Sequence, residues 1–322
     1  MVQKFIRGLH NLRPAVRGVV ATIGTFDGIH LGHQAIMAQV RQKALDYGLP
    51  SMAMIFEPHP MEFFSQEQAP ARLMRLHEKL EAIYAEGIER IFCLQFNRRF
   101  RQLSAGEFIS RVLLEGIGVR CLVVGDDFHF GCDRRGDSRM LKAAGVEHGF
   151  EVIDTATVVR SGRRVSSTWV REELEAGNFP AAQALLGKPF RISGRVVHGQ
   201  RLGRTLGVPT ANVHLHRYRA PLNGVFVVEV LGGDGGRRPA VANVGVRPTV
   251  GDLVKPILEV HLLDWQGDLY GQRITVEFIA PIREERQFSS VDTLLAQIRT
   301  DIEYARHFFA DRGLERSPCR FD

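Results

Sequence analysis

The chain of 322 residues has no apolar run near the ~18–20 residues that a membrane-spanning helix requires, so no such span is expected. Its four cysteines, Cys93, Cys121, Cys132 and Cys319, form neither a C-x-x-C pair nor a regular framework, which excludes a disulfide-stapled secreted domain. The N-terminus, Met-Val-Gln-Lys-Phe-Ile-Arg-Gly, lacks an apolar core and a small-residue cleavage site. No signal peptide is therefore expected, and the chain reads as cytoplasmic. Lysine is scarce, since 36 of the 42 basic residues are arginine. That bias suits bidentate phosphate contacts, though codon usage explains it at least as well. Charge of one sign is nowhere concentrated. Residues 1–186 carry 23 Lys+Arg against 21 Asp+Glu and residues 187–322 carry 19 against 15, net +2 and +4. With no basic block or tail, a nucleic-acid partner is not expected. Internal repeats and low-complexity tracts are also lacking.

What is present is ordinary globular material, 44% hydrophobic and 24% charged, in a length that suits two domains. The two halves carry different hydrophobic periods. In residues 1–186, apolar runs at 18–25, 51–56, 90–96, 120–125 and 151–159 alternate with helical patterns near 32–47, 72–86, 105–115 and 138–148. The third helix opens with Ser104-x-x-Glu107, a capping box. This order predicts an α/β fold: a Rossmann-like domain with a parallel sheet, whose ligands bind at the carboxyl ends of the strands. Residues 187–322 instead show short strands at 190–198, 224–231, 239–246, 257–263 and 273–281, separated by turns such as Asn223-Gly224 and Gln266-Gly267-Asp268. A single long helical pattern begins at Ser290, with Leu294, Leu295, Ile298, Ile302 and Ala305 on one face. A small antiparallel β-barrel with a C-terminal helix is expected there.

Four strings in the first half carry chemistry. Gly24-Thr-Phe26-Asp27-Gly28-Ile-His30-Leu-Gly32-His33 stands where the first expected strand passes into the first helix. Its glycines let backbone approach a ligand, and the first turn offers unpaired N–H groups to an anion. His30 and His33, three apart, share a helix face beside those amides. Ser166-Ser167-Thr168-Trp-Val-Arg171 heads a later short helix, where its hydroxyls could cap the helix or meet phosphates. Phe56-Glu-Pro58-His59-Pro60 and Gly125-Asp-Asp127-Phe128-His-Phe130-Gly131 each follow a strand. Phe128 and Phe130 could stack on a planar ring or simply pack in the core.

Together these strings resemble the FAD synthetase module of bacterial flavin enzymes, within the nucleotidyltransferases that carry H-x-G-H. The resemblance implies transfer of AMP from ATP to FMN. Gly24, Phe26, Asp27, Gly28, Gly32, Ser167, Thr168 and Arg171 would then lie at the nucleotide and its phosphates, and His30 and His33 would steady the transition state. Pro58, His59, Asp127, Phe128 and Phe130 would serve the flavin.

In the second half the densest signal is Gly199-Gln-Arg201-Leu-Gly203-Arg204-Thr-Leu-Gly207-Val-Pro209-Thr210-Ala-Asn212. Glycines every four residues with arginines between describe a loop able to wrap phosphates. Thr210 and Asn212, two apart in an extended segment, turn hard oxygens to one side, as Mg²⁺ prefers. Glu259 interrupts an apolar strand on the face opposite Leu258 and Val260, where an acid is ordinarily solvent-facing. This half resembles the riboflavin kinase family through P-T-A-N, Asn243-Val-Gly-Val-Arg247-Pro-Thr249, Leu258-Glu259-Val-His261, Asp268-Leu-Tyr270-Gly271 and Arg283-Glu-Glu-Arg286-Gln-Phe288. Val250 stands where the family often has an aromatic. The resemblance implies Glu259 as the base for the riboflavin 5′-hydroxyl and Thr210 and Asn212 as Mg²⁺ ligands. It places Gly199, Arg201, Gly203, Arg204 and Gly207 at the ATP phosphates and Arg283 and Arg286 at the flavin. The expected protein is a bifunctional enzyme using ATP and Mg²⁺, with flavins as substrates and products. Residues 1–186 would form its adenylyltransferase domain and 187–322 its kinase domain, as a monomer or a weakly self-associating chain. An adenylyl transfer to another phosphorylated acceptor, or a flavin sensor without turnover, are the alternatives.

Overall fold

A computed structural model describes residues 4–65, 68–199, 207–232, 236–248 and 254–313. By packing, the chain divides into two units, one holding residues up to Pro70 and Met74–Ser167, the other Ala71–Leu73 and residues from Thr168 onward.

Among the described residues of the first unit, six strands form a parallel sheet. They are β1 (Phe5–Arg7), β2 (Val19–Ile23), β3 (Ser51–Glu57), β4 (Arg90–Gln95), β5 (Val119–Gly125) and β6 (Glu151–Thr155), in the order β1-β4-β3-β2-β5-β6. Both faces are covered, so the central strands are apolar throughout rather than alternating. Val20, Ala53, Ile55, Ile91 and Val123 pack against Met37, Val40 and Ala44 of α1 (Leu31–Tyr47) and Ala82 and Ile83 of α3 (Leu76–Ala85), with the short α2 (Pro60–Phe64) between them in sequence. Ala21, Ile23, Met54, Leu122 and Val124 face the opposite core, with Phe108, Ile109, Val112 and Leu113. Those four residues lie on a helix that begins at Ala105 and continues as a π-helical stretch, Phe108–Leu114. Its start is the expected capping box: the Glu107 amide donates to Ser104 Oγ and the Ser104 amide to Glu107 Oε2. The edge strand β1 and the short helices at Pro60–Phe64 and Arg98–Arg101 are additions to the sequence reading.

From Thr168 onward the second unit holds the rest of the helix Ser167–Glu175 and then the helix Phe179–Leu186. The latter sets Phe179 edge-on to Phe226 and stacks it on Phe278. Among the described residues a closed antiparallel barrel follows, β10-β13-β12-β11-β14-β9. Here β7 (Val159–Arg160) and β8 (Arg163–Arg164) are a two-stranded ribbon of the first unit. The barrel strands are β9 (Arg191–Val197), β10 (Ala211–His214), β11 (Gly224–Leu231), β12 (Arg237–Pro248), β13 (Val254–Leu262) and β14 (Arg273–Arg283). The strand β10, part of the P-T-A-N segment, completes the closure. The C-terminal helix (Val291–Asp311), capped by Ser290, lays Ile302, Ala305 and Phe309 over Val225, Val227 and Val241 on the outside of the barrel.

On that outer surface Glu229 of β11 is directly opposite Glu277 of β14, and both are buried. Like charges so placed repel. Arg237 bridges the two carboxylates, and Arg191 also binds Glu277. We expect Arg237→Ala to destabilise the barrel by on the order of 2 kcal/mol, less than a fully buried pair because the arginine is half exposed. Urea unfolding would measure the loss, and adding Glu277→Gln should return part of it by removing one of the opposed charges.

Candidate active sites

The first site is built where β2 turns into α1. The turn is sharp: Phe26 and Ile29 have φ 45° and Gly28 has φ 92°. Left-handed backbone at a buried β-branched residue is costly, so packing must hold it. Asp27 is buried, its Oδ1 accepting from the Met74 amide at 2.9 Å and its carbonyl from Ser167 Oγ at 2.8 Å. Lys79, almost fully buried, donates its Nζ to the Thr25 carbonyl at 2.6 Å. Sequence spacing gives no hint of Lys79, which lies 54 residues from its partner.

His30 is the N-cap of α1, its Nδ1 accepting from the His33 amide at 3.4 Å. With Nδ1 accepting, the ring carries its hydrogen on Nε2. The two imidazoles stack at 3.7 Å, and Phe26 meets His33 edge-on at 5.2 Å. A Cβ on Gly32 would stand 3.1 Å from the His30 ring, a tight contact that would press on the ring. Desolvation holds the His33 pKa well below the ordinary histidine range, aided by His30, Lys79 and Arg164 nearby. His33 is therefore a neutral ring at pH 7, and its buried Nδ1 has no hydrogen-bond partner among the described residues. Arg164, unremarked in the sequence, pairs with Asp127 at 2.8 Å and Asp126 at 3.5 Å, which raises its pKa.

The strings assigned to a flavin lie at the carboxyl ends of β3 and β5, as the fold requires. His59 caps α2 by accepting the Met61 amide, after a cis Glu57–Pro58 bond. Phe128 and Phe130 stack at 5.7 Å, with Phe130 buried between Phe128 and Phe108 and pressed on Gly136. Phe130 thus serves the core, and Phe128 is the more open of the two. Gly24 sits against the Phe26 ring. Thr168 and Arg171 fall in the second unit, where Arg171 Nε donates to the Ala71 carbonyl at 2.5 Å.

The second site is a row on the outside of the barrel. Arg283 of β14 pairs with Val225 of β11, Val225 with Asn243 of β12, Asn243 with Glu259 of β13, Glu259 with Asn212 of β10, and Asn212 with Val197 of β9. Residues in register share a face. Leu258, Val260, Ala242, Val244 and Val213, one position away, are buried inside, while Val225 packs under the C-terminal helix, so the row faces outward. Asn212 Nδ2 donates to the Thr210 carbonyl at 3.4 Å, and its carboxamide occupies the space beside Gly199, where a Cβ would come within 2.5 Å. His261 Nδ1 meets the Pro209 carbonyl at 2.8 Å, tying this segment to β13. Arg283 is committed to Asp301 of the C-terminal helix through contacts of 2.9–3.1 Å. Arg286 bonds Gln297, and both arginines lie over the Phe288 ring. Asp301 and Gln297 escaped the sequence reading because a helix partner has no fixed sequence offset. Gly207 has φ 76° at the end of the glycine-rich loop, whereas Arg201, Gly203, Arg204 and Val250 lie outside the described residues.

The His33 shift carries a sign for stability. The unfolded histidine protonates near 6.5 and the folded one only at lower pH, so between these values the unfolded chain binds more protons. The His33 contribution to the folding free energy should be level above about pH 7.5 and fall as pH drops through 6.5, by at most about 1.4 kcal/mol per pH unit. Urea unfolding of wild type and His33→Asn at a series of pH values should show the acid-side slope reduced in the variant. An identical slope would assign the loss to other groups.

Both halves of the chain match known families. Residues 12–169 match the family described as FAD synthetase, and residues 186–309 the family described as riboflavin kinase. The bifunctional riboflavin kinase/FMN adenylyltransferase of Pseudomonas fluorescens is 55% identical over 94% of this chain and 97% of its own length. That of Escherichia coli K12 is 50% identical over 95% and 98%. A solved structure from Streptococcus pneumoniae, described as a macrolide-efflux protein, superposes with a TM-score of 0.77 at 31% identity over 94% of this chain and 99% of its own. Among the described residues here, no helix is long and apolar enough to cross a membrane. The chain belongs to the bifunctional riboflavin kinase/FMN adenylyltransferase family, with the FAD synthetase half first and the kinase half second.

Proposed function

We propose that the outward row of the barrel is the riboflavin kinase site, with Glu259 as its base, and that the β2–α1 turn is the FMN adenylyltransferase site, with His30 and His33 as its donors. The observation that carries this reading is the register that sets Glu259 beside Asn212. In the kinase step Glu259 takes the proton of the riboflavin 5′-hydroxyl. The oxygen then attacks the γ-phosphorus of ATP, and the bond to the β,γ-bridging oxygen breaks to give FMN and ADP. Thr210 and Asn212 fit a magnesium ion, because both offer neutral hard oxygens on one side of an extended segment and neither oxygen has a partner among the described residues. Such an ion would neutralise phosphate charge. Gly199 and Gly207, at the two ends of the glycine-rich loop, would let its backbone reach the phosphates.

In the adenylyl transfer, the FMN phosphate attacks the α-phosphorus of ATP and pyrophosphate leaves. That nucleophile is already an anion, so no base is required. The chain's task is to stabilise charge on the pentavalent phosphorus. Imidazoles at the helix N-terminus do this as hydrogen-bond donors: His30 through Nε2, and His33, neutral at pH 7, without adding a buried cation. The loop Gly24–Gly28 would bring backbone N–H groups to the same phosphates. At the strand ends, Pro58, His59 and Phe128 would face the flavin, with Asp127 oriented by Arg164. We place the division of function between residues 186 and 187, at the start of the riboflavin kinase match over 186–309 and beyond the end of the FAD synthetase match at residue 169.

Variants in each site test the assignment. His30→Ala with His33→Ala should abolish FAD formation from FMN, about 10²–10³ for each lost donor, and leave FMN formation near wild type. Equal loss of both activities in a folded double variant would defeat it. Glu259→Gln should lower the kinase kcat by ~10²–10⁴ while riboflavin and nucleotide still bind. Thr210→Ala should instead weaken magnesium-dependent nucleotide binding, with excess magnesium restoring part of the rate. FAD synthesis from supplied FMN should be unchanged in both, and kinase turnover within a few-fold of wild type in Glu259→Gln would return that residue to a solvent-facing acid.

A further inference from the structure

One polar side chain in the barrel's outer row has no part in the mechanism above. Asn243 stands between Val225 and Glu259, and its Oδ1 is shut off from water with no donor among the described residues. Buried acceptors are almost always paired, so an orphan of this kind calls for a cause. Among the described residues its surroundings offer none. Across the strands lie an apolar valine and a carboxylate that, when ionised, only accepts. Along β12 the same face carries Val241 and Gly245. Over Gly245 lies the Glu285 carboxylate, with Oε1 2.1 Å from where a Cβ would be, a second acceptor. Neighbours that are apolar or accepting leave Asn243 Oδ1 suited to one kind of visitor, a hydrogen-bond donor. Glu285 belongs to the irregular stretch after β14, so moving it aside breaks no strand pairing.

We propose that Asn243 is a substrate-binding residue of the kinase site, its Oδ1 accepting a hydrogen bond from the ribityl hydroxyl next to the one that is phosphorylated. The proposal rests on Glu259 being the base. Cross-strand neighbours have Cβ atoms about 5 Å apart, a span that two adjacent hydroxyls of a polyol can address together. One hydroxyl would give up its proton to Glu259 while its neighbour is held by Asn243. The pair would thereby select a polyol chain over a simple alcohol and fix which oxygen faces the phosphate.

The test uses the full chain with riboflavin and an analogue lacking the 4′-hydroxyl, in wild type, Asn243→Ala and Asn243→Ser. Kinase kcat and KM would be measured for each, with binding of the flavin alone followed by its fluorescence. In wild type the analogue should lose ~10–100-fold in kcat/KM and bind correspondingly more weakly. In Asn243→Ala riboflavin should fall to the analogue's level, and the analogue should lose nothing further. Asn243→Ser, which keeps an acceptor oxygen, should recover part of the loss, and the magnesium dependence should not move. An analogue penalty of the same size in wild type and Asn243→Ala overturns the proposal, as does a shift in magnesium dependence, which would make Asn243 a metal ligand. If Asn243→Ala does not fold, the Ser variant and the wild-type penalty decide, and no penalty in wild type is a refutation. Failure of the Glu259 reading would show separately, as undiminished turnover in Glu259→Gln.

Discussion

The register of a closed sheet is the constraint on which the kinase half depends. An open sheet can slip at its edges, but a barrel whose first and last strands pair has a single register, and a slip of one residue would turn every side chain to the other face. That register places Asn212, Glu259 and Asn243 side by side, although they are distant in sequence. The interior chains Leu258, Val260, Ala242 and Val244 hold it, because any shift would expose them. The polar row therefore owes its geometry to the apolar positions between its members.

The adenylyltransferase half reaches a comparable result by different means. Helices cover both sides of its parallel sheet, and the groups we propose for its chemistry lie in the turns at the strand ends. There the backbone itself is the positioning device. Left-handed Phe26 and Ile29 flank Asp27 and Gly28, and buried Lys79 and Asp27 anchor the turn to distant segments. The outcome is a helix N-terminus whose capping residue is His30. One half presents side chains by strand pleat, the other by a strained loop.

Much of this was legible in the amino-acid order. The change of period between the halves, the capping box at Ser104, and the opposite faces of Glu259 and Leu258 all follow from local spacing, and all are present in the structure. Strand β10 was visible only as an extended P-T-A-N segment, because its four residues are too few to show alternation. The edge strand β1 escaped because three residues at a sheet margin carry no pattern. What could not be read were partnerships across long separations: Lys79 with Thr25, Arg164 with Asp127, Asp301 with Arg283. Nothing in residue spacing specifies them, and each depends on the fold being complete.

The pair formed by Arg283 and Asp301 bears on the order of synthesis. Ribosomes release the chain from its N-terminus, and domains fold as they emerge. The parallel sheet is complete once Thr155 is out, well before any barrel strand. The barrel can close when β14 emerges, but Arg283 then lacks its counter-ion, and the outer valines lack their cover, until the helix Val291–Asp311 follows. On a translating ribosome the capacity to adenylate would thus mature ahead of the capacity to phosphorylate. The enzyme for the later chemical step is finished before the enzyme for the earlier one.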